Sequence, residues 1–494
     1  MRLWHQLNGD TRIQVRTAAG ATPWGEVGAV VGQGTIGGAL ISQAVLDDAV
    51  TESFPLAGRQ GMIQYGNIPI APLMWVDDIL NPCATVEQAR QANTKINKIM
   101  KERCLNLNQK KSTCLVMGSK KQKQTISTEL EKNPLKCGAF VTEEKQDEKW
   151  LGQYLSARGL AASVEKTVTE REGKIRAAGL EIMAIVEDWR SKAAGGLETA
   201  LLLWQACCLP SLLAGAATWV EISAATEKRL NSLQNWFLRL VLKVGPGAPL
   251  ASLLWDTGML DMGLHVWKEK VMLMFHLRGL GEETLARRTY EEQKSNKWPG
   301  LVGETEEICK KLGIENVHST SLGAKTYRKF LTKALPKENE NRIKQLAKEK
   351  NKCERIFSEN YGKKEYLAEK DIAATRLQYK TRFRLLEFAG NYSNDRRFAK
   401  TQWLCWCKTR KEDESHLLEG NCSVYGQIRK KFGIIQSEES LIRFFSEVLE
   451  ERERLEEAEE QARRSPSGGE HTTDAASVGP NSPAQASLGS ERTS

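Results

Sequence analysis

The chain has 494 residues, with 71 Lys/Arg against 62 Asp/Glu and a formal charge of +9. That length leaves room for two to four domains and a sizeable core, so a disulfide-stapled miniprotein is excluded. Eleven cysteines fall without the spacing of a disulfide framework, and Arg2, His5 and Asp10 interrupt the start, so an intracellular, reducing compartment (nucleus or cytoplasm) is expected rather than secretion.

Residues 1–30 read as extended, with Ile13 and Val15 alternating with Gln14 and Arg16. Val27 to Gln43 is a glycine-rich turn leading into a helix from Ala39 to Val50. Its centre, Gly32-Gln33-Gly34, lacks the Gly-Lys-Ser/Thr ending of a Walker A loop and the βαβ setting of a dinucleotide fingerprint. Next comes Leu73-Met74-Trp75-Val76-Asp77-Asp78-Ile79-Leu80, preceded by Pro72 and followed by Asn81-Pro82. The pattern predicts a buried strand, a tight turn carrying two acids, and a return strand. Carboxylates on such a turn can hold a hard divalent cation, and a solvated turn has the same pattern.

Val86 to Cys104 predicts an amphipathic helix, with Ala89, Ala92, Ile96, Ile99 and Met100 at helical spacing. Asn108-Gln109-Lys110-Lys111-Ser112 is a turn entering a strand that ends near Met117. Residues 119–149 are charged and read as a loop, and Glu148 to Leu155 as a second compact strand-like segment. From about 160 the periodicity is helical. Leu230, Leu233, Trp236, Phe237, Leu240 and Val241 form one apolar stripe and Val266 to Leu277 another, with Lys268 and Lys270 as solvent-face charges. The run Thr199 to Val220 is uncharged and long enough for a bilayer. Gln205, Pro210 and Gly215 interrupt it and acids flank it, so two buried helical pieces with a break at Pro210 are expected, and no membrane span.

Residues 321–400 carry 21 Lys/Arg against 10 Asp/Glu, an excess of 11 that exceeds the charge of the whole chain. An excess of that size suits a nucleic-acid contact, with Arg382, Arg384, Arg396 and Arg397 as candidates; a solvated pair of basic helices is the alternative. Cys405-Trp406-Cys407, His416 and Cys422 give Cys-x-Cys-x₈-His-x₅-Cys. Four soft or borderline ligands so close in sequence suit tetrahedral Zn²⁺, against the alternative of unliganded cysteines. Residues 437–464 predict an acidic helix whose early apolar turns can dock a partner. The last 30 residues, rich in Ser, Gly, Pro and Ala, are expected to stay disordered.

In order, Gly32-Gln33-Gly34, Trp75-Val76-Asp77-Asp78, Asn108-Gln109-Lys110-Lys111-Ser112 and Trp150-Leu151-Gly152 resemble the palm motifs B, C, D and E of non-LTR (LINE-type) retrotransposon reverse transcriptases. Cys208-Leu209-Pro210 and Leu233 to Arg239 resemble the helical thumb of the same proteins, and the Cys/His segment resembles the knuckle that many carry after it. The resemblance implies Mg²⁺-dependent, RNA-templated addition of deoxynucleotides to a primer 3′ end. Asp77 would coordinate the metal pair with Asp78 in support. Gln33 and Gly34 would contact the incoming nucleotide and the template base. Lys111 would sit near the pyrophosphate as a general acid, and Leu151-Gly152 would form the primer grip. The implied partners are an RNA template, a DNA primer or target, and deoxynucleoside triphosphates; oligomeric state is left open.

The sequence departs from that family at Trp75, where Tyr or Phe is more usual, and at Thr35 to Leu40, which replace the usual Pro-Leu-Ser-Pro. The motif A carboxylate has no counterpart ahead of Gln33, because Asp10 lies in a turn. The expectation is therefore an α+β chain: a partial right-hand palm at 1–160, a helical thumb at 161–290 and a basic helical region at 291–400. A Cys/His knuckle at 401–435, an acidic helix at 436–464 and a disordered tail at 465–494 follow. Such an N-terminally truncated polymerase would not extend a primer alone. The rival expectation is a non-catalytic nucleic-acid-binding remnant.

Overall fold

The computed structural model describes residues 44–52, 63–188, 196–388 and 404–464 apart from isolated positions, and a few more between 12 and 26. The fold is mixed α and β and mostly helical. Two compact units divide the chain, one ending at Leu385 and one starting at Leu386. The divisions expected at 160 and 290 both fall inside the first unit.

Among the described residues every sheet is a two-stranded pair. In the N-terminal stretch Arg12–Ile13 pairs antiparallel with Gly25–Glu26. Strands β1 (Leu73–Trp75) and β2 (Asp78–Leu80) form an antiparallel hairpin in which Trp75 faces Asp78 across a two-residue turn. The strand–turn–strand expectation is met, but not the burial. Met74 and Ile79 turn inward, onto the cluster of Ile96, Ile99 and Met100 of helix α1 (Val86–Glu102) with Ala49 and Val50. The other face is only partly covered among the described residues: Leu73 and Leu80 are half-buried, and Trp75 is 61% exposed.

Residues 119–149 are not a loop. Helix α2 (Lys120–Lys132) follows strand β3 (Thr113–Leu115), and a capping box starts it. The Ser119 hydroxyl accepts from the Gln122 amide, and Gln122 Oε1 accepts from the Ser119 amide at 2.9 Å. Leu130 and Ile126 then pack with Val86, Val116 and Leu135. Strand β4 (Glu143–Lys145) lies parallel to β3. The strand-like segment near 148–155 is a second hairpin, β5 (Asp147–Trp150) and β6 (Gln153–Ser156). Leu151 and Gly152 join them with φ of +49° and +77°, the sign that a two-residue hairpin turn needs to match strand twist.

The rest of the first unit is helical. Helix α3 (Leu160–Glu187) docks against β6 through two hydroxyls. Thr167 Oγ1 accepts the Tyr154 amide and Ser163 Oγ the Ser156 amide, each at 2.9 Å. Helix α4 (Gly196–Leu203) runs on through a widened turn at Trp204–Cys208 into Leu209–Leu212, so there is no break at Pro210. The proline follows directly on the widened turn, at the start of the last piece. The chain turns away at Gly215, where φ is +73°. Leu202, Gln205, Cys207 and Pro210 are exposed, so the run is half buried rather than wholly so. No helix among the described residues is long and apolar enough to cross a membrane.

One core gathers α3, α4, α5 (Ala224–Leu242) and α6 (Leu250–Thr257), with Trp204 stacked on Phe237 at 4.3 Å between ring centroids. The expected stripe on α5 holds: Leu230, Leu233, Phe237 and Val241 are buried, with Trp236 and Leu240 beside them. A second core joins α7 (Met262–Gly279), α8 (Leu285–Ser295), α9 (Leu301–Leu312) and α10 (Ala324–Ala347) around Val271, Met274, Ile308 and Leu331. Lys270 is not a solvent-face charge. It is buried on α7 and pairs with Glu304 of α9 at 2.5 Å. Helix α11 (Ile372–Arg382) returns to the first core through Tyr379.

The second unit holds α12 (Glu414–Leu418), α13 (Gly426–Phe432) and α14 (Glu438–Arg464). In the apolar turns of α14, Phe444, Phe445 and Val448 are fully buried, while Leu441 and Ile442 are half-buried. Phe445 lies against Phe388 and Phe444 against Phe432, each at 5.8 Å between centroids. The tail at 465–494 lies outside the described residues.

Candidate metal centre

The second unit brings four ligands together. An antiparallel bridge between Leu404 and Lys411 closes a turn in which the Cys405 amide donates to the Arg410 carbonyl at 2.8 Å. Lys408 takes a left-handed φ of +59° to tighten it, its amide donating to the Cys405 carbonyl at 2.7 Å. This hooked backbone lets Cys405 and Cys407, one residue apart, face a common point. Asp413 then caps α12, its carboxylate accepting the His416 amide at 2.9 Å, which fixes His416 in the first turn. Cys422 stands ahead of α13, where the Gly426 amide donates to its carbonyl at 2.8 Å and the Tyr425 amide reaches its sulfur at 3.5 Å.

The ligand atoms of Cys405, Cys407, His416 and Cys422 all lie within 4.8 Å of one another, and this group can hold a metal ion. Cys405 Sγ and Cys422 Sγ are 3.6 Å apart, and Cys407 Sγ and His416 Nε2 are 3.3 Å apart. Tetrahedral zinc with ordinary bond lengths puts sulfurs about 3.8 Å apart and sulfur and nitrogen about 3.6 Å apart. Those two separations lie a few tenths of an ångström below the tetrahedral values, and all the others stay within 4.8 Å. Burial pushes the Cys405 thiol up. Burial acts the same way on Cys407, but hydrogen bonds with Thr409, Cys405 and His416 outweigh it and bring that thiol down to about 6. A sulfur that ionises near neutrality is a ready first ligand. Behind the ligands, Tyr425 donates its hydroxyl to the buried Glu412 at 3.3 Å, and Arg452 of α14 lies 3.6 Å from the same carboxylate. Asp413 and Tyr425 are the supporting residues that the ligand spacing alone does not reveal. The Asp413-x-x-His416 interval is a capping signal that could have shown the first of them.

The acidic hairpin is a different environment. Asp77 and Asp78 are both exposed at its tip, and among the described residues no third His, Cys, Asp or Glu joins them in a metal-holding group. Two exposed carboxylates without a third ligand among the described residues do not by themselves make a Mg²⁺ site. Val76 holds φ +55°, a left-handed value that a β-branched residue rarely adopts. Lys111 is exposed on the 3₁₀ turn Gln109–Lys111. Leu151 and Gly152 form the exposed tip of the second hairpin, where Arg171 donates to the Gly152 carbonyl. Gln33 and Gly34 lie outside the described residues, as do Arg396 and Arg397.

Arg382 is not a nucleic-acid contact. It is buried, with Nε 2.8 Å from Asp256 Oδ2, and it also pairs with Glu359. A guanidinium already committed to two carboxylates has no exposed face for a phosphate. Arg384, two residues on, is exposed with φ +52°. No family model matches the chain, and no curated protein matches it.

Proposed function

We propose that the chain is a nucleic-acid-binding relative of non-LTR reverse transcriptases that holds structural Zn²⁺ and does not itself extend a primer. The observation that carries this reading is the convergence of Cys405, Cys407, His416 and Cys422 on one point. Three thiols and an imidazole form a closed tetrahedral set that leaves no open position for catalysis. When bound, Zn²⁺ would supply a single tie linking the 404–411 turn, α12 and the head of α13. Lys408, Lys411 and Lys430 are exposed on those elements and suit a polyanion. The order of the palm-like motifs supports kinship with the polymerases, and the two hairpins agree with it. That no third acid stands beside Asp77 and Asp78 among the described residues supports the absence of primer extension, since two-metal transfer needs anchoring carboxylates around both ions.

Purified full-length chain should contain zinc, and Cys422→Ser should lose it. RNA and DNA binding should weaken with salt and survive Asp77→Ala with Asp78→Ala. Folded protein without metal would overturn the zinc assignment. Asp77-dependent extension of a primer in Mg²⁺ would overturn the non-catalytic reading.

A further inference from the structure

Helix α10 is divided by charge. Its second half contains two acids, and each is paired one turn along: Arg342 with Glu338 at 3.1 Å and Lys344 with Glu340 at 2.7 Å. Its first half, residues 324–337, has no acid at all. Lys325, Lys329, Lys333 and Lys337 stand there at intervals of four, all exposed, with Arg328 exposed beside them. None of these five makes an ion pair with any described residue. Four-residue steps rise about 6 Å each, so the lysines form a slanting ridge about 18 Å long. The opposite face is fixed: Tyr327, Leu331 and Leu335 are buried in the second core, so the ridge faces solvent on a rigid element.

We infer that this ridge is a docking surface for the phosphodiester backbone of a nucleic acid. The inference rests on the reading of the chain as a nucleic-acid binder and says where the strand lies in the first unit. Duplex DNA carries a charge every ~1.7 Å of axis, both strands counted, so an 18 Å ridge spans a length that carries on the order of ten phosphates. Ammonium groups act as point charges on such a row and need no bidentate geometry. An anionic membrane is the poorer occupant. A helix that lies in a bilayer surface needs a free apolar face, and the apolar face of α10 is already buried in protein. Phe330, 49% exposed, is the one large apolar side chain standing out from this half. It offers a stacking plane to an unpaired base.

The test uses the full chain, with fluorescence anisotropy on a labelled DNA duplex, an RNA duplex and single strands, over a range of salt. Replacing Lys325, Lys329, Lys333 and Lys337 together by Gln should lower affinity about a hundredfold or more. It should also reduce the slope of log affinity against log salt by about 3–4 on duplex DNA. The same four positions changed to Arg should bind as the parent does. Phe330→Ala separates the sources: a loss confined to single strands assigns the ridge to unpaired nucleic acid, and no loss assigns it to duplex. A folded Gln variant with the parent's affinity and slope would overturn this inference and leave the proposed function standing. A parent chain that binds no nucleic acid, or only phosphatidylserine vesicles, would overturn both.

Discussion

Arg382 and Asp256, 126 positions apart in sequence, meet at 2.8 Å with both side chains withdrawn from water. Tyr366 donates to the same carboxylate oxygen at 2.7 Å, and Lys364 sits 3.4 Å from Glu359, the second partner of Arg382. Removing one member strands a buried charge. Arg382→Met should therefore cost about 3–5 kcal/mol of stability, measured by denaturant unfolding. Changing both, Arg382→Met with Asp256→Leu, should recover most of the loss, because the desolvation penalty leaves with the pair. In folded protein the double variant should bind nucleic acid like the parent.

Arg171 of α3 bridges three carbonyls, those of Leu212, Ala214 and Gly152, each at 2.8 Å. It ties the tip of the β5–β6 hairpin to the turn that ends the α4 run. Gly215 lies in the same turn, where an added Cβ would stand 1.8 Å from Gln153 Nε2. Gln153 in turn accepts from Trp219 Nε1 at 2.7 Å. Arg171→Ala should cost about 2–3 kcal/mol through its lost charge-assisted bonds. Hydrogen exchange should show the amides of 147–156 opening faster than those of α5. An unchanged exchange pattern would show that the hairpin is held by other contacts.

His265 of α7 is pulled down to about 4 by burial, with Lys268 adding to the effect. Its folded value lies below the unfolded one of about 6.5. The unfolded chain therefore takes the proton first as the pH drops. The stability is fully present above about pH 6.5 and is lost as the pH falls toward 4, by about 2–3 kcal/mol from this group. His265→Met should flatten that part of the pH profile, read from unfolding midpoints at pH 7 and pH 5. A variant as acid-sensitive as the parent would assign the loss to other groups.

The features legible in the sequence were those whose partners are near in the chain. The Asp77–Asp78 hairpin is closed by residues on either side of a two-residue turn, and the four metal ligands fall within one short segment. Helix α2 was hidden by its own lysines, which mask the Ser119–Gln122 cap and the Ile126–Leu130 pair. Arg382 and Lys270 look like other basic residues in a basic chain. Their carboxylate partners, Asp256 and Glu304, are brought to them only by tertiary packing. Burial of the β1–β2 pair was overstated because apolar alternation gives a strand's register but not what covers its second face.

Ser163 and Thr167 do more than fasten a helix to a strand. Each hydroxyl donates back to a carbonyl one turn earlier in its own chain, Gly159 at 2.9 Å and Ser163 at 2.8 Å, while accepting an outward amide of β6. The rim of that ribbon thus has its hydrogen-bonding donors already engaged, and a foreign β-segment finds no template there. Two small alcohols on an otherwise ordinary helix close the donors of this edge of the ribbon to strand addition.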